Sequence, residues 1–295
     1  YMSINKNTIG IIGTGIIGLP IAINLLKKNF IIHAFARNKR KHLALKKQGM
    51  IIDEDLGRFF SSIDVLILAV SDTKDVKSIL LGKGGLVHST KKPSIVVDMS
   101  TICPIETINI ANILSNHKVS FIDAPVSGGE IGAIKGELSI MVGGKKNTVT
   151  KIMPILKILG KKITHVGGVG SGQVAKACNQ IIVAQTINAI SESFIIADKF
   201  KVNKSNIREA LLGGFANSKI LEVHGKRMLD NNYKPGFKTK LHAKDLRIAK
   251  NIAIKKNLKL KGVNLVNKFM GICVKEGNNE KDSSVYFTTI KKINK

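Results

Sequence analysis

The chain is predicted to be an α/β protein: a doubly wound, mostly parallel sheet domain followed by an all-helical domain. Three observations predict this. Short β-rich runs alternate with helical segments from residue 8 to about 166, the rhythm of strand–helix–strand units. A glycine-rich turn, GTGIIG, joins the first strand to the first helix. After GGVGSG at 167–172 the character changes, and no further strand is legible.

In chain order, the strands are expected at TIGIIG, FIIHAF, DVLILAV, SIVVDM, VSFIDA, LSIMVG and KITHVG. Helices are expected between them at 17–28, 39–48, 74–81, 105–115 and 148–159. Pro20 falls in the first turn of the first helix, where a missing N–H costs little. Residues 172–200 read as one long helix, and Pro and Gly near 213–214 and 235–236 break the remainder. The domains are therefore expected at 1–168 and 169–295.

Composition narrows the function classes. The net charge is +27 at pH 7, which invites a polyanionic partner. The excess is nearly all Lys, scattered beside Asn and Ile, with no aromatic interleaving and no single basic tail. Those three residue types share AT-rich codons, so genome composition accounts for the charge and no nucleic-acid partner is expected. Cys103, Cys178 and Cys273 are isolated in sequence, which fits a reducing, cytoplasmic compartment. The seven His show no metal-ligand spacing, so no metal is expected. The apolar stretch 9–26 resembles a signal-peptide core, but Gly10, Gly13, Gly15 and Gly18 interrupt it and no small-residue cleavage site follows. The apolar segment 178–197 is punctuated by Asn179, Gln180, Gln185, Asn188 and Glu192, the pattern of a buried helix and not of a membrane span.

Gly13, Gly15 and Gly18 follow the first strand and open a helix, the context G-x-G-x-x-G requires for binding a dinucleotide in a Rossmann-type domain. Gly13 allows the tight turn, Gly15 lets the backbone approach a pyrophosphate, and Gly18 lets helix and strand pack closely. The helix N-terminus, with Ile16 and Ile17 as further cofactor-binding candidates beside it, attracts the anion. The alternative is an ordinary glycine-rich turn. At the end of the second strand Ala36 stands where an acid usually takes the ribose hydroxyls, and Arg37 and Asn38 follow. A guanidinium there suits a 2′-phosphate, so NADP(H) is favoured and NAD(H) is possible.

Ligands of such sheets lie beyond the carboxyl ends of the strands. Two such ends carry Ser100-Thr101 and the run Asp123 to Gly129. Ser127 Oγ with the N–H groups of Gly128 and Gly129 would grip a carboxylate; the alternative is a tight turn between strands. In GVGSGQVAKACNQ, Lys176 lies one turn into a helix, with Asn179 and Gln180 on its face. A lysine so placed could protonate a carbonyl oxygen as hydride arrives, with Asn179 holding it. The alternative is one more solvated lysine, although Val174, Ala175, Ala177 and Ile181 around it are apolar.

At this point the chain resembles the β-hydroxyacid dehydrogenase family. The resemblance rests on four ordered motifs: GTGIIGLPIAINL, DAPVSGGEIGAIKGELSIMVGG, GVGSGQVAKACN and PGFKTKLHAKDL. It implies Lys176 as proton donor with Asn179 as its partner, and Ser127, Gly128 and Gly129 on the substrate carboxylate. It places Thr101 by both nicotinamide and substrate, and Val70, Ser71 and Phe237 by the cofactor. Lys244 and Asp245 would close over the cofactor. It further implies a homo-oligomer, dimer or tetramer, through the helical domain. GGFANSKILEVHGKRM lies nearest the members that reduce tartronate semialdehyde to glycerate; 3-hydroxyisobutyrate, succinic semialdehyde and glyoxylate are the alternative substrate pairs. A basic, non-catalytic binder on the same fold is the alternative from another class. Three departures stand out: Ala36 for an acid, Ser71 where Pro is common, and KDSSVYF without a His common near this end.

Overall fold

Apolar residues on both faces of runs such as VLIL and IVVD drive the first half of the chain into a sheet covered on both sides. A computed structural model describes residues 8–294. The strands are β1 (Thr8–Ile12), β2 (Ile31–Phe35), β3 (Ile51–Ile52), β4 (Val65–Leu68), β5 (Ile95–Asp98), β6 (Ser120–Asp123), β7 (Val126–Ser127), β8 (Leu138–Gly143) and β9 (Gly160–Gly167). Between them lie α1 (Gly18–Leu26), α2 (His42–Lys47), α3 (Leu56–Ser61), α4 (Thr73–Leu81), α5 (Pro104–Asn116), α6 (Gly129–Lys135) and α7 (Lys146–Leu159).

The strand order is β3-β2-β1-β4-β5-β6-β8-β7, with β9 on β8. The pairs from β3 through β6 are all parallel, β8 runs antiparallel to β6 and β7, and β9 is parallel to β8. The first six strands thus have the order of a doubly wound dinucleotide-binding sheet. Alternation within the strands feeds two cores. Ile9, Ile11, Val65, Ile67, Ile95 and Val97 pack with α1, α2, α6 and α7 on one face. Ile12, Leu66, Leu68 and Val96 pack with α3, α4 and α5 on the other. Fully burying one such side chain is worth ~1.5–3 kcal/mol, so the faces rather than the turns hold this unit together.

The chain divides into one unit ending at Lys176 and a second beginning at Ala177. The division falls inside the continuous helix α8 (Ser171–Lys199), past the boundary expected near 168. The second unit continues with α9 (Lys204–Leu212), a π-helical turn (Leu221–Gly225), α10 (Lys226–Leu229), α11 (Thr239–Lys255), α12 (Lys261–Lys275) and α13 (Tyr286–Ile293). By length and composition α8 alone among the described helices could cross a membrane. Its Ala184, Ile187, Ile190 and Phe194 instead build the core of the second unit with Leu221, Met228, Leu246, Val266, Met270 and Tyr286.

Three short elements differ from the sequence expectation. The segment 39–48 is a 3-10 turn at Lys39–Lys41 followed by α2. Asp55 caps α3 by accepting from the Arg58 N–H at 2.7 Å. The Ser127-Gly128-Gly129 turn leads into α6, where the alternative reading had a bare connection between strands.

Candidate active site

The glycine turn stands where the strand order reverses, since β1 is flanked by β2 on one side and β4 on the other. Gly13 has φ +102°, and a Cβ there would collide with the carbonyl oxygen of Ala69 at the end of β4. Gly18 is closed against the carbonyl of Gly13. Gly15 is exposed, and an added Cβ would meet nothing within 4 Å. No side chain caps the N-terminus of α1. Two glycines are therefore spent on packing, and the third opens the backbone to a ligand beside uncapped helix amides. These residues fit a dinucleotide pyrophosphate. Gly15→Ala is expected to leave thermal stability within about 0.5 kcal/mol, since the methyl enters open space. The same methyl should weaken cofactor binding at least ~10-fold, measured by titration of cofactor fluorescence.

Beyond β2, Arg37 is exposed and stands 3.4 Å from the Asp75 carboxylate. Asn38 turns inward to its own backbone, its Oδ1 accepting from the Arg40 N–H at 3.1 Å. The Lys41 ammonium lies 3.5 Å from the carbonyl oxygen of Thr14, inside the glycine turn. Sequence reading missed Lys41; its signal was the repeated basic spacing after the second strand. Val70 follows β4, and its N–H donates to Ser100 Oγ at 2.9 Å, which ties that end to the Ser100-Thr101 loop. Ser71 is exposed and directly precedes Asp72, the N-cap of α4.

Ser127 ends β7, and Gly128 and Gly129 adopt φ of +129° and +60°, which glycine alone takes without strain. Lys176, in the second turn of α8, is only 6 % exposed and is the one lysine among the buried polar residues of the described chain. Burial removes the reading of a solvated surface charge.

In the second unit the structure joins residues that sequence reading had kept apart. Asn179 Nδ2 donates to Gln180 Oε1 at 2.8 Å, and Gln180 Nε2 donates to Asp245 Oδ2 at 2.7 Å. Lys244 Nζ lies 3.1 Å from Asp245 Oδ1. Gln180 and Asp245 are both buried. Phe237 packs against the His242 ring with centroids 5.4 Å apart. Its position is set by Asp282, which is 1 % exposed and accepts from the N–H groups of Gly236 (3.1 Å), Phe237 (3.0 Å) and Ser284 (3.0 Å) and from Ser284 Oγ (2.6 Å). His224 Nδ1 at 3.2 Å and Arg227 Nη1 at 3.4 Å complete the cluster. Burial pushes the Asp282 carboxyl up, but the hydrogen bond and charge of His224, with Ser284 and the Phe237 N–H, outweigh it and hold the pKa well below the usual carboxylate range.

Residues 8–167 match the family model described as the NAD binding domain of 6-phosphogluconate dehydrogenase. Residues 170–289 match the one described as NAD-binding of NADP-dependent 3-hydroxyisobutyrate dehydrogenase. The chain is 40% identical over 276 residues to 2-hydroxy-3-oxopropionate reductase of Escherichia coli (strain K12), covering 94% of each. It superposes on the Mycobacterium tuberculosis 3-hydroxyisobutyrate dehydrogenase solved with L-serine at a TM-score of 0.88, with 25% identity, covering 97% of this chain and 99% of that one. A structure described as Psf3 in complex with NADP+ and 2-OPP superposes at 0.85 with 22% identity, covering 96% and 99%.

Proposed function

The chain belongs to the β-hydroxyacid dehydrogenase family, and from that premise we propose that it reduces tartronate semialdehyde to glycerate. Membership makes it an oxidoreductase with a nicotinamide-dinucleotide-binding domain. The choice of substrate is supported by the 40% identity to the reductase of 2-hydroxy-3-oxopropionate, which is tartronate semialdehyde. The chemistry is supported by one observation above the others: Lys176 is buried, and no other lysine among the described residues is.

A reduced nicotinamide held by these residues would supply the hydride for the aldehyde carbon. Lys176 delivers the proton that the carbonyl oxygen takes up, and water later recharges the neutral amine. Asn179, its amide nitrogen committed to Gln180, offers its carbonyl oxygen to hold the ammonium. Ser127 with the amides of Gly128 and Gly129 grips the substrate carboxylate, and Thr101 orients the carbonyl. Gly13, Gly15, Ile16, Ile17, Gly18, Val70, Ser71, Phe237, Lys244 and Asp245 bind the cofactor.

We assign NADP(H) as the preferred cofactor because Lys41 lies beside the glycine turn, an exposed Arg37 follows β2, and Ala36 stands where an acid would take the ribose hydroxyls. Arg37→Ala is expected to lower kcat/KM with NADPH by about 10–100-fold, the worth of one charged hydrogen bond. The value with NADH should stay unchanged. Unequal loss checks the assignment; equal loss with both cofactors overturns it.

A second reading, 3-hydroxyisobutyrate as substrate, is favoured by the likeness to the M. tuberculosis enzyme. At the same oxidation level, glycerate and 3-hydroxyisobutyrate differ by a hydroxyl against a methyl group. A site built to hydrogen-bond the hydroxyl rejects the methyl analogue by ~10⁴–10⁵, whereas an apolar pocket discriminates only ~10²-fold. Initial rates over a panel of semialdehydes with NADPH and NADH, read by absorbance, separate the readings. The three free cysteines suit a reducing cytoplasm. Homo-oligomerisation is supported by Ile182 and Ile196, exposed on α8, and by the exposed Phe200 just after it; light scattering on the purified chain tests it.

A further inference from the structure

The residues assigned to the reaction stand on separate segments, and one buried side chain brackets Thr101 while sharing a helix with Lys176. Gln173 is 1 % exposed. Its Nε2 donates to the carbonyl oxygen of Ser100 at 2.8 Å, and its Oε1 accepts from the N–H of Ile102 at 3.1 Å. It therefore grips the backbone on both sides of Thr101. Gln173 lies three residues before Lys176, so the two share one face of α8.

The start of α8 is itself fixed. Asp123, the fully buried last residue of β6, accepts from the Gly170 N–H at 2.7 Å through Oδ1 and from the Gln173 N–H at 2.9 Å through Oδ2. There is no slack in this junction. A Cβ at Gly172 would strike the Met141 carbonyl oxygen and come within 2.9 Å of Asp123 Oδ2. A Cβ at Gly143 would fall 2.5 Å from Asp123 Oδ1 and 2.7 Å from the Gly172 N–H. Both glycines are explained by the first turn of α8 lying directly against β6 and β8. Burial raises the Asp123 pKa, against the opposing N–H groups of Gly170 and Gln173.

We propose that Gln173, with Asp123 behind it, is a positioning residue that sets Lys176 in register with Thr101 for proton delivery. Neither side chain is assigned a contact with substrate or cofactor. The inference rests on the reading of Lys176 as proton donor. Proton and hydride transfer tolerate little misplacement, and a shift of about 1 Å costs about 100-fold in rate. Gln173 resists that shift by tying the donor's helix to the loop that orients the acceptor.

The test uses single-turnover reduction of tartronate semialdehyde by the full chain, with active sites counted by cofactor titration. Gln173→Met fills the same space without either hydrogen bond. It is expected to slow the per-site rate about 10–100-fold with cofactor affinity unchanged. Gln173→Glu keeps the acceptor toward Ile102. It can donate to Ser100 only when protonated, so its rate is expected to recover as pH falls, in the same folded sample. A purely structural role would lower the number of active sites and leave the per-site rate alone. A Gln173→Met rate within twofold of wild type, or a Gln173→Glu rate that follows the wild-type pH profile, overturns the inference. Retained turnover in Lys176→Ala would instead overturn the reading on which it rests, so the two failures are distinguishable.

Discussion

Lys176→Ala is expected to lower kcat by about 10³-fold, within the range a positioned general acid contributes. That loss corresponds to ~4 kcal/mol of transition-state stabilisation. Cofactor affinity should stay at the wild-type value, because the glycine turn and Lys41 beside Thr14 lie on other segments of the chain. Lys176→Arg separates charge from proton donation. The guanidinium keeps the positive charge but does not release a proton in the working pH range, so it should fail nearly as badly as alanine. A lysine needed only for its charge would be rescued by arginine. The measurements are steady-state rates and cofactor titrations on the same preparations, and wild-type kcat in either variant refutes the donor role.

The second large effect is on stability. Asp282 gathers four hydrogen bonds, the Arg227 guanidinium and the His224 ring while almost wholly buried. Removing one partner of such a buried cluster typically costs ~3–5 kcal/mol. Asp282→Asn is expected near the lower figure, because an amide oxygen still accepts some of the N–H groups. The sign of the pH dependence follows from the depressed carboxyl pKa. A carboxylate whose folded pKa lies below its unfolded value of ~3.9 contributes its stability above that value and loses it as pH falls further. The gap in unfolding free energy between wild type and Asp282→Asn should therefore be steady from neutral pH to about 5 and narrow below about 4. Denaturant unfolding across that range checks it, and a gap that widens in acid contradicts the assignment. Phe237 is held by the same carboxylate, so cofactor affinity is expected to weaken in this variant as well.

Much of this was legible in the sequence, and the reasons are physical. The long apolar strands declared themselves because both faces are buried. β3 and β7 are two residues each, too short to show any period. α6 was hidden because Gly128, Gly129, Gly132 and Gly136 read as breakers, although two of them set the entry to the helix and its left-handed end. α3 carried a readable signal, Asp55 as N-cap, but its six residues were too few to register. In the candidate site the glycine turn and Lys176 are local patterns and could be read. Gln173, Asp282 and the pairing of Gln180 with Asp245 could not. Each acts through a partner far along the chain, as Gln173 does with Ser100 and Gln180 with Asp245, and nothing in one segment announces the other.

The placement of β1 between β2 and β4 has a consequence for how the protein is made. The floor of the glycine turn is Ala69, and the strand leading to it pairs Ile9 with Val65. During synthesis the glycine turn must wait for that later strand before its geometry exists. Parallel pairings of this separation close slowly. Nucleotide capture therefore requires a strand made about fifty residues after the turn that carries its signature.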